Sequence, residues 1–163
     1  MRRRRWAAAL SWPPLLVLLA ACGVEPSGVA GAGEAPTGVA PGVTLYFVDS
    51  SLRLQPQLRQ TNHLGSISDA IPLLLFGANE SGLHSEIQST GSARAEVNTF
   101  PGLIQLRVPL SLREVSPLGI DQLVCTALGV FIQGGGDKTT KVQVEFTDAT
   151  PESDKQRTCP LFR

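Results

Sequence analysis

Three cysteines carry the most specific chemistry in this 163-residue chain. Cys22 follows an apolar run and ends the box LAAC, and four arginines stand at positions 2–5. A cationic start, a short apolar middle and small residues before the cut are the three parts of a secretory signal. The sequence therefore predicts a lipoprotein signal peptide over residues 1–22, with a diacylglyceryl group attached to the Cys22 sulfur.

The alternative to cleavage is a retained transmembrane helix. Such a helix needs about 20 consecutive apolar residues, and Pro13 and Pro14 would interrupt it. An acylated Cys22 would attach the protein to membrane lipid, because each buried CH₂ of an acyl chain such as palmitate contributes about 0.8 kcal/mol. We therefore expect a lipid-anchored protein on the extracytoplasmic face of the cell membrane. The consecutive arginines fit either general secretory or twin-arginine export.

Cys125 and Cys159 are the remaining cysteines. Because thiols outside the cytoplasm are oxidised, the sequence predicts a disulfide between them. It would close a loop of about 34 residues and contribute about 3 to 4 kcal/mol by restricting the unfolded chain. In a reducing compartment the same residues would be two free thiols.

Other polar residues give no recognisable catalytic or metal site. His63 and His84 stand alone in polar stretches, without a second ligand at zinc-binding spacing. Asp49, Ser51 and His63 are the residue types of a hydrolase triad, but no nucleophile motif such as GxSxG surrounds the serine. The segment GGGDKTT at 134–140 lacks the Gly-Lys pair and the following helix of a phosphate-binding loop. We expect a protein that is not an enzyme and that has no metal or cofactor.

Charge and composition exclude two classes of partner. Four of the 14 basic residues lie in the predicted signal, which leaves ten basic and 14 acidic residues in the mature chain, a net charge of −4. No basic surface remains for nucleic acid, and no polybasic patch remains for anionic lipid headgroups. Residues 23–42 mix Gly, Ala, Pro and Val without periodicity and predict a flexible tether. Residues 43–163 are enough for one folded core.

The first half of that domain predicts a strand and a helix. The segment VTLYFVD at 43–49 is rich in β-branched and aromatic residues and predicts a buried strand. In SDAIPLLLFG at 68–77, apolar residues share one helical face and Gly77 ends the helix. Because Pro72 would break a hydrogen bond in a helix that began earlier, we predict Asp69 as the N-cap.

The second half predicts two strands, a longer helix and a closing strand. Apolar and polar residues alternate over 103–110, after a short strand at 93–99 and a Phe-Pro-Gly turn. Ser116 caps a helix at 117–132, whose apolar residues recur at helical spacing. A final alternating strand covers 141–147.

The predicted order of elements is β-α-β-β-α-β. Strands with one polar face indicate an α+β fold, in which a mainly antiparallel sheet has two helices packed on one face. Cys125 lies beside the apolar stripe of the second helix. A disulfide to Cys159 would therefore pin the C-terminal tail across that helix.

Several segments together resemble the GerMN (sporulation and spore germination) domain. They are VTLYFVD, Arg59 within PQLRQ, ISDAIPLLLFGANESGL, GLIQLRVPL, GIDQLVCTAL and KVQVEF, and they span nearly all of 43–147. The resemblance is to small lipoproteins of high-GC Gram-positive bacteria, and it implies a non-catalytic envelope module that in some members forms part of multiprotein rings. Family members commonly have Gly-Pro where this chain has Gly77-Ala78.

We therefore expect a membrane-anchored lipoprotein of the cell envelope whose GerMN-like domain binds an envelope protein through an exposed sheet face or edge. A small-ligand-binding lipoprotein of the cell envelope is the alternative, with the ligand between the first helix and the loop at 78–92. A hydrolase that uses His63 and His84 is a third hypothesis and ranks last.

Overall fold

The computed structural model of the chain describes residues 42–80, 82–88 and 94–162. The predicted signal peptide and its Cys22 lie outside the described residues, as does the predicted tether except for its last residue, Gly42, which begins the first strand. Within the described ranges, no helix has the length and apolar character needed to cross a membrane.

The first sheet is built around a buried hairpin. Strand β1 covers Gly42–Asp49 and pairs antiparallel with β2, Leu54–Gln60. A short strand, β3 (Leu83–His84), pairs antiparallel with the end of β1, so the order is β2-β1-β3. β1 is the predicted strand, and most of its residues are buried. The sequence does not predict β2, because LQPQLRQ contains no β-branched or aromatic residue.

Helix α1 covers Ile67–Phe76 and begins earlier than predicted. Its N-cap is Ser66, whose hydroxyl accepts the N–H of Asp69, while the Asp69 carboxylate accepts the N–H of Ser66. The prediction of Asp69 as the N-cap is therefore wrong, because this reciprocal capping box places Asp69 inside the first turn. Pro72 is tolerated because the carbonyl that it leaves without a donor belongs to Ser68, which is exposed to water.

The second sheet has the strand order β4-β5-β6-β7. Its strands cover Glu96–Phe100, Leu103–Arg107, Lys141–Glu145 and Gln156–Arg157. β5 and β6 are parallel, and the other neighbours are antiparallel. The predicted turn joins β4 to β5, and every second residue of β5 and β6 is buried. The alternation predicted for these strands is therefore confirmed.

Helix α2, Pro117–Gln133, confirms the predicted longer helix and its cap. The Ser116 hydroxyl accepts the N–H of Gly119 at 3.1 Å. α2 packs against α1, β1 and β6. It is buried on more sides than the predicted apolar stripe, because Gln122 and Thr126 also lie inside the protein.

These two buried polar side chains close one edge of β1. The Thr126 hydroxyl accepts the N–H of Tyr46 at 3.1 Å, and the Gln122 amide donates to the Tyr46 carbonyl at 2.9 Å. The Gln122 side-chain oxygen also accepts the N–H of Glu86 at 2.7 Å. A buried polar group without a partner costs about 1 to 3 kcal/mol. The helix thus satisfies backbone groups that another strand would otherwise have to pair.

The α+β fold is confirmed, with two helices and mainly antiparallel strands interleaved along the chain. β2, β3 and β7 add to the predicted order, and the strands are divided between two sheets. Residues from both helices and both sheets form one apolar core.

Candidate functional site

A disulfide joins Cys125 of α2 to Cys159 in the C-terminal tail, with 4.7 Å between their Cα atoms. Both residues are buried. Because the bond links positions 34 residues apart, it removes many conformations of the unfolded chain and contributes about 3 to 4 kcal/mol. The tail is held against α2 in the way that the sequence predicts.

Asp49 serves the hairpin turn between β1 and β2. Its carboxylate accepts the N–H groups of Ser51 and Arg53 at 2.9 and 3.0 Å, and the side-chain amide of Gln55 at 2.8 Å. These hydrogen bonds, that of the Arg53 N–H first, lower the pKa of Asp49. His63 follows the opposite end of the hairpin, about 20 Å away at about 3.3 Å per residue of strand. The structure therefore does not bring Asp49, Ser51 and His63 together.

The two histidines have separate local partners. His63 Nδ1 lies 3.3 Å from the carbonyl oxygen of Leu64, and His84 Nε2 lies 3.1 Å from the carboxylate of Glu86. In the ranges that the structure describes, no group of three or more His, Cys, Asp and Glu residues is placed to hold a metal ion.

The glycine-rich segment at 134–140 forms a turn that leads into β6. Asp137 Oδ1 accepts the N–H of Thr139 at 2.8 Å and its hydroxyl at 2.9 Å. These two bonds, the backbone one first, lower the pKa of Asp137. The segment is the connector that the sequence predicts, because a strand and not a helix follows it.

Arg59, which belongs to the segments that resemble the GerMN domain, supports the end of α1. Its Nη2 donates to the Gly77 carbonyl at 3.1 Å. Gly77 ends the helix as predicted and has a φ of 104°, a value that favours glycine. A cation at the carboxyl end of a helix is stabilising. Arg59 therefore ties β2 to α1.

The second sheet leaves one face open, and its register arranges the residues of that face in rows. The first row is ionic and consists of Glu96, Arg107 and Glu145 on neighbouring strands. Arg107 Nη1 donates to Glu96 at 2.9 Å and Nε donates to Glu145 at 3.0 Å. The bond and charge of Glu145, followed by those of Glu96, raise the pKa of Arg107. The guanidinium is thus fixed in place while 61% of its side chain stays exposed.

The next rows are polar and then partly apolar. The amide row consists of Asn98, Gln105, Gln143 and Gln156. The Gln143 amide already donates to the Ser153 carbonyl at 2.9 Å. The last row consists of Phe100, Leu103 and Lys141. Amides both donate and accept hydrogen bonds, and Phe100 is 49% exposed. We call these rows the open face; its side chains suit non-covalent recognition.

The outer edge strands of the two sheets also differ. β2 has Pro56 near its middle, which lacks an N–H and blocks the addition of another strand. β4, with the sequence EVNTF, has no proline, and four of its five residues are exposed. In the described part of the chain no strand pairs with the outer side of β4. Among the described residues, this edge therefore has unpaired backbone groups to which a strand could be added.

The sequence predicts the outward direction of Arg107 but misses its partners. The alternation in β5 is enough to place Arg107 on the polar face. Glu96 and Glu145 meet it only through the register of three strands, two of which are parallel. The polar alternation in β4 and β6 indicates that Glu96 and Glu145 also point outward. It does not predict the register that brings them next to Arg107.

Comparisons with known proteins identify the fold. No protein-family model matches the sequence, and no curated protein matches it. Among solved structures, the chain is similar to the tandem GerMN domains of the sporulation protein GerM from Bacillus subtilis, with a TM-score of 0.51 and 18% sequence identity. The similarity covers 74% of this chain and 43% of that one. The fold of this protein is therefore GerMN-like.

Proposed function

We propose that this protein is a lipid-anchored envelope protein of a high-GC Gram-positive bacterium, and that its GerMN-like domain is a non-catalytic module that binds another envelope protein. The open face, together with the unprotected edge of β4, is the observation that carries the proposal. The box around Cys22 and the resemblance to envelope lipoproteins support the location.

The anchor in this proposal is an acylated Cys22, and residues 23–41 separate the folded domain from the membrane. One acyl chain holds a protein only marginally, and two or more hold it firmly. The Cys125–Cys159 disulfide supports an extracytoplasmic location, because such bonds persist in oxidising compartments.

The proposal of a non-catalytic role rests on how the polar residues are used. The Asp49 carboxylate is occupied by the hairpin turn and lies far from His63. His84 pairs with Glu86 on the surface. Asp49 and the two histidines thus bond to separate neighbours, which supports a non-catalytic role.

The open face has the composition of a protein-binding surface. Arg and aromatic residues are enriched in interfaces, and Arg107 and Phe100 stand at opposite rows of this face. Because two carboxylates already hold Arg107, ordering it on binding costs little entropy. The charges of Glu96 and Glu145 balance those of Arg107 and Lys141. We therefore expect binding that depends only weakly on salt.

The test is site-specific crosslinking in native membranes. A benzophenone amino acid at position Gln105 reports on the open face, and the same group at Leu52, in the exposed β1–β2 turn, is the matched control. We expect one defined crosslinked protein from Gln105 that is absent from Leu52, and its yield should fall with Arg107→Ala. Identical products at both positions, or monomer only, would overturn the proposal.

A small-ligand-binding lipoprotein remains the second candidate. The sequence places its ligand between α1 and the loop at 78–92, but residues 81 and 89–93 lie outside those that the structure describes. A different observation favours ligand binding, namely a cavity lined by residues of β1, α2 and the C-terminal tail.

A further inference from the structure

A cavity of about 460 Å³ lies beside β1, the last turns of α2 and the C-terminal tail. Small-molecule sites have this size, and they combine an apolar wall with a few polar groups that orient the ligand. None of its lining residues belongs to the open face of the second sheet. The cavity is therefore separate from the proposed protein-binding surface.

Apolar side chains form most of the cavity wall. The rings of Tyr46 and Phe162 meet edge to face, with 5.8 Å between their centroids, and Ile132 lines the helical side. Gly129 lets Tyr46 approach α2 closely, because a Cβ atom there would lie 3.1 Å from the Tyr46 ring. Burial raises the pKa of the Tyr46 hydroxyl, so the ring is neutral at physiological pH. This wall suits the apolar body of a ligand.

The edge of β1 presents backbone groups at the same place. Tyr46 bonds to α2 through its N–H and C=O, so these groups point away from β2, and alternation gives Gly42 and Thr44 the same direction. The Gly42 carbonyl accepts a hydrogen bond from Gln133 at 3.2 Å. Within the described ranges no hydrogen bond engages the N–H or C=O of Thr44, which lines the cavity.

Lys138 adds a positive charge to the lining. It is the one charged residue among the described residues that line the cavity. No ion pair within the described ranges engages its ammonium group. The neighbouring Asp137 carboxylate binds Thr139 through Oδ1, and after these hydrogen bonds the charge of Lys138 is a smaller cause of the lowered pKa of Asp137. An ammonium group and a backbone N–H at the border of an apolar wall both favour an anionic oxygen.

We propose that this cavity binds a small carboxylate with an apolar aryl or alkyl body. The apolar body packs against Tyr46, Ile132 and Phe162. The carboxylate meets Lys138 and the N–H of Thr44. This site goes beyond the proposed protein-binding function, and either one can fail without the other.

The disulfide holds one wall of this site in place. Cys159 is fixed to α2, and its carbonyl accepts the N–H of Phe162 at 3.1 Å. Phe162 in turn packs on Tyr46. The cavity is therefore complete in the oxidised protein, and the experiment uses that form.

The test follows a single spectroscopic signal. Tyr46 is the only tyrosine of the chain, so full-length protein labelled with 3-fluorotyrosine gives one ¹⁹F resonance from the cavity wall. The membrane-purified, oxidised protein in bilayer nanodiscs is titrated with 4-phenylbutyrate, and with 4-phenylbutyramide as its uncharged match. We expect a saturable shift of the Tyr46 resonance with the carboxylate and a much weaker affinity for the amide.

Lys138→Met and Lys155→Met form the matched pair of variants, because Lys155 is exposed and neither lines the cavity nor belongs to the open face. Loss of a hydrogen bond to a charged group should weaken 4-phenylbutyrate binding about tenfold in Lys138→Met, with no change in Lys155→Met. The proposal is overturned if the carboxylate causes no saturable shift, or if the amide and Lys138→Met bind as tightly as the carboxylate and the wild type.

Discussion

The two sheets differ in how much of them the rest of the protein covers. In the first sheet, β1 has β2 on one edge and the side chains of α2 on the other, and most of its residues are buried. In the second sheet, β4 leaves an outer edge unpaired within the described residues, and one face is open. The residues around β1 therefore serve mainly to stabilise the fold, whereas the second sheet has residues that can bind a partner.

We expect mutations in the two sheets to affect different properties of the protein. A substitution around β1 should change the free energy of unfolding, because it leaves cavities or unpaired polar groups. A substitution on the open face should change binding more than stability.

Loss of the disulfide should have the largest effect on stability, because this bond joins the C-terminal tail to α2. Replacing both Cys125 and Cys159 with Ala should lower the free energy of unfolding by about 3 to 4 kcal/mol. Urea denaturation followed by circular dichroism measures the change, and reduced wild-type protein is the control. An unchanged midpoint in both would show that the bond does not stabilise this fold.

Gln122→Leu should have the next largest effect. The substitution leaves the buried Tyr46 carbonyl and the part-buried Glu86 N–H without partners inside the protein, and a buried group without a partner costs about 1 to 3 kcal/mol. Gln105→Leu makes the same chemical change on the open face, where we expect a change within about 0.5 kcal/mol. Urea denaturation measures the two losses of stability. Equal losses would contradict the difference between the residues around β1 and those of the open face.

Arg107→Ala should affect binding more than stability. Exposed ion pairs contribute about 0 to 1 kcal/mol, so the melting temperature should change little, while crosslinking to the partner through Gln105 should fall. Arg53→Ala is the matched control, because Arg53 is also an exposed arginine with a carboxylate partner, Asp49. A large loss of stability in Arg107→Ala, or equal crosslinking in both variants, would contradict the assignment of the open face.

The capping box of α1 should give a small, pH-dependent effect. The side-chain bond with Ser66, followed by the Ser66 N–H, lowers the pKa of Asp69 from its ordinary value of 3.8. A carboxyl group with a lowered pKa stabilises the folded state above the unfolded pKa and loses that contribution as pH falls through the folded value. The difference in melting temperature between wild type and Asp69→Asn should therefore be constant near neutral pH and should shrink in acid.

A pH-independent difference between the wild type and Asp69→Asn would contradict this account of the cap. Ser66→Ala serves as the control, because it removes the hydroxyl that is the first cause of the lowered pKa. Its stability should approach that of the wild type over the same acidic range, but a difference should remain because the Ser66 hydroxyl still accepts the Asp69 N–H in acid.

The sequence was most informative where one pattern determines one element. The apolar spacing and Ser116 cap predict α2 to within a residue, and alternation predicts which residues of β5 and β6 are buried. The capping box was missed because Pro72 argued against an earlier start. The effect of Pro72 is small in the structure, since Ser68, whose carbonyl is left without a donor, is exposed.

Features that depend on distant parts of the chain could not be predicted in the same way. Gln122 interrupts the apolar pattern of α2, and its role depends on where the Tyr46 backbone lies. The cavity likewise joins Thr44 to Lys138 and Phe162, which are brought together only by the fold. Local patterns contain no information about such pairings.

The interaction proposal depends on the location of the protein, and its intact mass tests that location most directly. Protein purified from native membranes should begin at Cys22, carry the added mass of the acyl groups, and lack the two hydrogens lost when Cys125 and Cys159 are oxidised. A soluble polypeptide that begins at Met1 and contains three free thiols would contradict the lipid anchor, the extracytoplasmic location and the disulfide together.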